Sequence, residues 1–250
     1  MLKKILLVFS ASACLVACKK AETTVSNTTT TSKDTTQTSI AKYGAGVTDI
    51  DGNKYKTVII GTQEWMAENL KVTKYNYGET ITNVTDELEW SKLTTPAWCY
   101  YNNNDSLGMI YGKLYNWYTV NTKKVCPVGW HVPSDLEWTK LSNFLSGDTI
   151  TTSIYIHDSI AGLQLKENGF AHWNNSNVLA TNKSLFTALP GGYINIKGSP
   201  LFKNLGDEGH WWSSTTRNGN SPWGRSIGET KLFKDDYFIN DGLSIRCIKD

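Results

Sequence analysis

Hydrophobic and polar residues alternate early in the chain. Between residues 54 and 60, Tyr55, Thr57 and Ile59 fall on one face of a two-residue period and Lys54, Lys56 and Val58 on the other, which is the spacing of a strand. Residues 47–50 precede it across Asp51-Gly52-Asn53, so the segment predicts a hairpin. A further strand is expected over 64–70 and a short one over 97–101, ending in the turn-rich run 102–105. Residues 74–96 hold no period, and 112–120 predicts a short helix turning Leu114, Trp117 and Tyr118 inward. The period becomes helical after Pro133. Ser134 stands at an N-cap position with Glu137 three residues on, a capping box, and Trp138, Leu141, Phe144 and Leu145 recur at helical spacing. This predicts a helix over 135–145. Beyond it, short apolar runs at 186–196, 201–205, 209–216, 223–227 and 242–248 lie between Gly, Asn, Asp and Pro clusters. Few helices and many late strands predict an α+β fold.

The N-terminus changes the picture of where this domain works. Lys3 and Lys4 precede the uncharged, mostly apolar run 5–17. That run is shorter than the ~20 residues a membrane span needs and fits a signal peptide. It ends in Leu15-Val16-Ala17-Cys18, which resembles a bacterial lipobox. The resemblance implies cleavage before Cys18, with lipid on its thiol and on the new amino group; the rival Ala11-Ser12-Ala13-Cys14 lacks the aliphatic residue. Acyl chains at about 0.8 kcal/mol per buried CH₂ would hold the protein on a membrane. Lys19 and Lys20 follow in place of an acidic retention signal, which points to the outer membrane or cell surface of a Gram-negative bacterium.

Residues 21–39 contain nine Thr and three Ser and bury too little to offset their ordering entropy. The expected organisation is therefore a signal peptide at 1–17, a lipidated tether at 18–46 and one domain at 47–250. Thr35, in Asp34-Thr35-Thr36, is a candidate for O-glycosylation. The formal charge of +2 falls near zero once Lys3 and Lys4 are removed. There is no basic stripe, so no nucleic-acid partner is expected.

Six blocks then identify a family. "DIDGNKYKTVIIGTQEWMAENLK", "YGKLYNWYTVN", "CPVGWHVPSDLEWTKL", "LPGGY", "GHWWSST" and "SIRCIKD" stand in this order and closely resemble the Fibrobacter succinogenes major paralogous domain family over 49–250. Its members are typically surface or secreted lipoproteins without an established activity. The family is distantly similar to the C-type-lectin-like fold shared with formylglycine-generating enzymes, a fold that hosts binders and enzymes alike. The resemblance implies a lectin-like domain whose end returns to the region of the capped helix, and hence a Cys126–Cys247 disulfide that leaves Cys99 free and buried. Pairings that use Cys99 remain open.

Candidate chemistry is sparse. No CxxC, HxH or HExxH spacing accompanies Cys99, Cys126, Cys247 or His131, His157, His172 and His210. His131 reads as structural, Glu137 as half of the capping box, and Asp135 as favourable to the helix dipole. Asp207-Glu208 and Asp235-Asp236 read as solvated pairs, since neighbouring carboxylates point apart and a glycosidase needs two opposed ones. No cofactor is expected; the oxygen-rich turns at 102–105 and 240–241 leave calcium as an alternative. Trp212, Arg217, Asn218, Asn220, Trp223 and Arg225 are the candidate ligand platform, aromatic rings beside amide and guanidinium groups. Trp211 and Trp212 must point to opposite faces of a strand, so at most one is expected in the core. The expected function is a non-enzymatic binding or surface-interaction domain for glycan or protein, with a structural envelope component as the alternative and an enzyme of the formylglycine-generating-like fold the least supported reading.

Overall fold

A computed structural model describes residues 40–147, 157–174, 177–198 and 201–250. The expected signal peptide, Cys18, Thr35 and the Ser/Thr-rich run lie outside the described residues. The ordered fold starts before residue 47. Strand β1 (Ala41–Tyr43) pairs with β4 (Thr57–Ile60), and a two-strand ribbon, β2 (Val47–Thr48) and β3 (Lys54–Tyr55), lies between them in sequence. The expected hairpin turn is organised by Asp49. Its carboxylate accepts from the backbone N–H of Asp51 and Asn53, from the Asn53 amide and from the Tyr55 hydroxyl. The predicted strand 54–60 breaks at Lys56, whose N–H turns aside to Glu68, so β3 and β4 join different sheets.

After β5 (Gln63–Met66) the chain leaves the ladder four residues earlier than predicted. It then forms β6 (Thr82–Asn83), α1 (Glu87–Ser91), β7 (Ala97–Cys99), α2 (Asp105–Tyr111), β8 (Leu114–Tyr115) and α3 (Trp117–Asn121). The run 102–105 is a helix start, not only a turn: the Asn104 side chain caps α2. Gly112 closes that helix with φ 77°, which needs glycine, so the helix expected over 112–120 becomes a strand followed by α3. Strand β9 (Trp130–His131) leads into α4 (Asp135–Ser146), which carries the predicted capping box. Then follow β10 (His157–Asp158), α5 (Ser159–Leu165), β11 (Gly191–Ile194), β12 (Phe202–Leu205), β13 (Gly209–Thr216), β14 (Pro222–Gly228), β15 (Lys231–Asp236) and β16 (Ile248–Lys249).

Two sheets dominate. The first has the order β1-β4-β5-β16-β9, so the last strand lies between two early ones, with Ile248 facing both Trp65 and His131. The second has the order β10-β15-β14-β13-β11-β12. The predicted strand 242–248 is a crossing segment instead. Gly242, Leu243 and Ser244 make isolated bridges to Ile194, Tyr115 and Trp211, and the ladder forms only at its end. Cys126 and Cys247 are disulfide-bonded, their Cα atoms 6.0 Å apart, and Cys99 is a buried free thiol.

The main core joins the first sheet, α4, α5 and the second sheet through Trp65, Trp138, Phe186, Trp211 and Leu232. Trp65 and Trp138 lie 4.8 Å apart between ring centroids. A second cluster collects Trp212, Tyr115, Trp117, Ile245 and the disulfide. The two adjacent Trp of β13 do point apart as strand geometry demands, but each finds a core, so both are buried. That corrects the expectation of at most one.

A carboxylate groove on the second sheet

Strands β13, β14 and β15 are antiparallel neighbours in register, so His210, Ser226 and Phe233 lie side by side across the sheet, as do Trp211, Arg225 and Lys234. The period of two sends Trp211, Ile227 and Leu232 into the core. His210, Ser226, Phe233 and Asp235 line a groove on the opposite face. The groove consists of two adjoining hollows of about 590 and 390 Å³ that share Glu208 and Phe233. Tyr193, Asn195, Tyr237, Phe238 and Asp241 form one end; Asn174, Asp207 and Glu229 border the other. Gly224 is required here: a Cβ on it would lie 2.7 Å from the Tyr237 ring.

His210 is the centre of the groove and only 5 % exposed. Its Nε2 is 2.9 Å from a Glu208 carboxylate oxygen and its Nδ1 is 2.9 Å from the Tyr237 hydroxyl. The His210 bond is the main cause that holds the Glu208 carboxyl below its ordinary range, so Glu208 is the acceptor and Nε2 carries the proton. Burial pushes the pKa of the Tyr237 hydroxyl well up, so it stays neutral. Tyr193 stacks on the imidazole at 4.0 Å. Asp235 accepts from the Ser226 hydroxyl at 3.0 Å. Asp241 accepts from the backbone N–H of Ile196 and Phe238, yet burial outweighs these bonds and pushes its pKa up to about 6. The arrangement presents fixed acceptors beside aromatic rings, which suits hydroxyl and amine groups on a compact apolar frame.

The six residues of the expected platform do not form one surface: the Arg217 guanidinium lies 5.8 Å from the Trp223 ring centroid beside the turn of Asn218 and Asn220, while Trp212 and Arg225 are buried. Trp212 is fully buried and its indole N–H donates to the Tyr115 carbonyl at 2.6 Å. Arg225 is fully buried against α4, 2.8 Å from Asp135. Neither offers a surface to a ligand. Trp223 is buried under the Lys234 ammonium, 4.3 Å from its ring. Arg217 stands 3.6 Å from Asp236, and Asn218 and Asn220 are exposed in the turn between β13 and β14. These four lie around the strand end, away from the groove floor. By contrast the acidic pairs read as solvated loops both contribute to the groove, through Glu208 and Asp235. Tyr193 and His210 stand inside two of the family blocks, but nothing in those blocks marks them as site residues, and Tyr237 lies in none; the second sheet brings the three together.

The oxygen-rich turns are used internally. Asn104 caps α2, the Asn103 amide donates to the Thr85 carbonyl, and the Asn240 amide donates to the carbonyls of Ser91 and Leu93. Among the described residues no group of three or more His, Cys, Asp or Glu side chains is placed to hold a metal ion. No helix of the described residues is long and apolar enough to cross a membrane.

The family model described as the Fibrobacter succinogenes major domain matches residues 58–249. The chain belongs to this family. A search of curated proteins and a search of solved structures each found no match. The Fibrobacter succinogenes major domain here starts in β4 and includes the disulfide, the second large sheet, the first sheet without its edge strand β1, and the whole groove, while β1, β2 and β3 precede the matched span. His131 bridges Asp250, just past the matched span, and the helix start: Nδ1 is 2.7 Å from Asp250 and Nε2 is 2.9 Å from Glu137. Glu137 thereby has a second role beyond the capping box.

Proposed function

We propose that this is a lipid-anchored protein of the cell envelope, on the outer membrane or cell surface, whose domain binds a glycan without catalysing a reaction. The lipobox ending at Cys18 and the Ser/Thr-rich run after it support the anchor and tether. A lectin-like reading of the α+β domain is supported by its closure. The last strand returns between β5 and β9, and the disulfide joins positions separated by 121 residues. One observation carries the binding role: a single groove combines the Tyr193 and Tyr237 rings with acceptors at Glu208, Asp235 and Asp241 that are already oriented by hydrogen bonds.

The alternative, a structural envelope component with no small ligand, draws support from His210, whose two ring nitrogens are both satisfied within the protein. A glycan array with the detergent-solubilised protein separates the two readings. Specific binding that falls about tenfold in Tyr193→Ala, roughly 1.4 kcal/mol, and is unchanged in Arg217→Ala supports the groove. Absence of any bound glycan removes the glycan reading.

A further inference from the structure

The dipeptide Asn-Gly occurs twice in the chain, at Asn168-Gly169 and at Asn218-Gly219. In this pair the asparagine side chain is open to attack by the next backbone nitrogen, because glycine has no Cβ to shield that nitrogen. The two sites share a backbone. Both asparagines are exposed, the two glycines have φ of 89° and 87°, and a Cβ on either would meet nothing within 4 Å. What separates them is hydrogen bonding.

Asn168 is clamped. The amide of the buried Asn177 donates to the Glu167 carbonyl at 2.7 Å and also to the Gly169 carbonyl. These two carbonyls flank the reacting atoms, so one buried group fixes the backbone rotations on which ring closure depends. Asn218 is poised instead. It lies in the exposed run 217–220 between β13 and β14, closed by a bond of 2.7 Å from the Arg217 N–H to the Ser221 carbonyl. Its Oδ1 accepts from the Asn220 N–H at 3.4 Å. A bond from an asparagine oxygen to the second N–H after it folds the side chain over the peptide between them, which brings Cγ towards the Gly219 nitrogen. The same N–H points to the oxygen on which negative charge develops during attack. The Gly219 N–H donates to the Thr216 hydroxyl at 3.2 Å. A hydroxyl both accepts and donates, so it can partner that nitrogen before and after the proton leaves.

We propose that Asn218 is a site of spontaneous, one-way modification to aspartate and isoaspartate, and that the fold protects the matching Asn168. The Gly219 nitrogen gives up its proton and bonds to Asn218 Cγ. The Cγ–Nδ2 bond breaks, and Nδ2 leaves as ammonia with that proton. Water then opens the imide ring. Cleavage at Cγ gives aspartate; cleavage at the backbone carbonyl gives isoaspartate, whose main chain runs through Cβ and Cγ. Water enters and ammonia leaves, with no change of oxidation state. Either product sets a carboxylate beside Arg217, whose guanidinium is 3.6 Å from Asp236, so a balanced pair gains a negative charge. This conversion needs no glycan and is independent of the groove.

The test incubates the full-length protein in detergent, in water labelled with heavy oxygen. Digestion in mild acid after Lys166 and after Arg217 isolates the two sites. Mass spectrometry reads the label at each, and an isoaspartyl methyltransferase counts isoaspartate. The same protein unfolded in urea is the reference, in which both Asn-Gly pairs are free and convert at similar rates. In the folded protein Asn218 should convert at least as fast as in urea. Asn168 should convert about tenfold more slowly than in urea, the factor set by one or two protected hydrogen bonds. Asn218→Gln, a change on an exposed side chain, should abolish the label at that site and leave Asn168 as it was. Equal rates at the two sites in the folded protein overturn the proposal, as does an Asn218 slower when folded than when unfolded. Label at residue 218 without isoaspartate also overturns it, because water would then have attacked the side-chain amide directly.

Discussion

Asp135→Asn tests whether the start of α4 is held by charge. The Asp135 carboxylate sits 2.8 Å from both the Arg225 guanidinium and the Lys234 ammonium, whose side chains are 0 % and 10 % exposed. Asparagine keeps the size of the side chain and an acceptor oxygen for Arg225, so the substitution removes charge and little else. Breaking a buried pair by neutralising one partner costs about 3–5 kcal/mol, because the remaining charge stays buried. Asp135 is itself 21 % exposed, and water there screens part of the loss, which places the expected cost near the low end, about 3 kcal/mol. The lost interaction with the N-terminus of α4 adds about 0.5 kcal/mol.

Equilibrium urea unfolding at pH 7 measures the change from the midpoint at constant slope. Lys234→Met in the Asp135→Asn background should recover part of the loss, giving a coupling energy in a double-mutant cycle. Acid adds an independent reading. Burial raises the Asp135 pKa, but the charge on Arg225 and the bonds from Lys234 and Arg225 outweigh it and hold it below the ordinary value. The stabilisation is therefore present above about pH 3.9 and is lost as pH falls through the depressed folded value. The variant should lack this acid limb. A loss below about 1 kcal/mol with no coupling to Lys234 would refute the reasoning.

Three further outcomes are expected. Replacing Cys126 and Cys247 together by Ser should cost about 5 kcal/mol as an upper estimate for a loop of this length, read from urea midpoints, and non-reducing peptide mapping of the parent should recover the linked pair. For His131, burial lowers the pKa but the bonds to Asp250 and Glu137 outweigh it and raise it. Its contribution is therefore full below about pH 6.5 and lost as pH rises through the raised folded value; His131→Ala should flatten that slope in a series of midpoints taken from pH 6 to 9. Gly162→Ala places a Cβ 2.5 Å from the Thr230 carbonyl and 2.7 Å from the Leu232 N–H. Because both contacts are backbone, α5 must move off β15, at a cost of about 3 kcal/mol in the same assay.

Signals made of neighbouring residues are legible in the sequence, and those made of distant residues are not. The helix after Ser134 declares itself within four residues, because a capping box is made of neighbours, and β13 was bounded correctly by its flanking glycines and turn residues. Strand β15 escaped notice because Lys231, Lys234, Asp235 and Asp236 make it look like a solvated loop. Lys234 is polar only at its tip and serves an element far away: its ammonium reaches Asp135, 99 residues earlier. Arg225 looked like a surface ligand for the same reason. Its burial depends on Asp135, 90 residues earlier, and no local pattern encodes that distance. The groove fails to show in the sequence because His210, Ser226 and Phe233 become neighbours only through the register of three strands. The disulfide was reached through family resemblance; the spacing of three cysteines does not select it.

The position of β16 has a consequence for how the chain acquires its shape. The middle of the first sheet is supplied by the final residues, and Lys249 reaches back 185 residues to Glu64. A partly synthesised chain that ends before residue 247 has neither that strand nor the second half of its disulfide. Its two early strands would carry unpaired edges towards each other. Closure of the first sheet therefore depends on contacts of long sequence separation, which slow folding. The first sheet closes only when β16 has paired with β5 and β9.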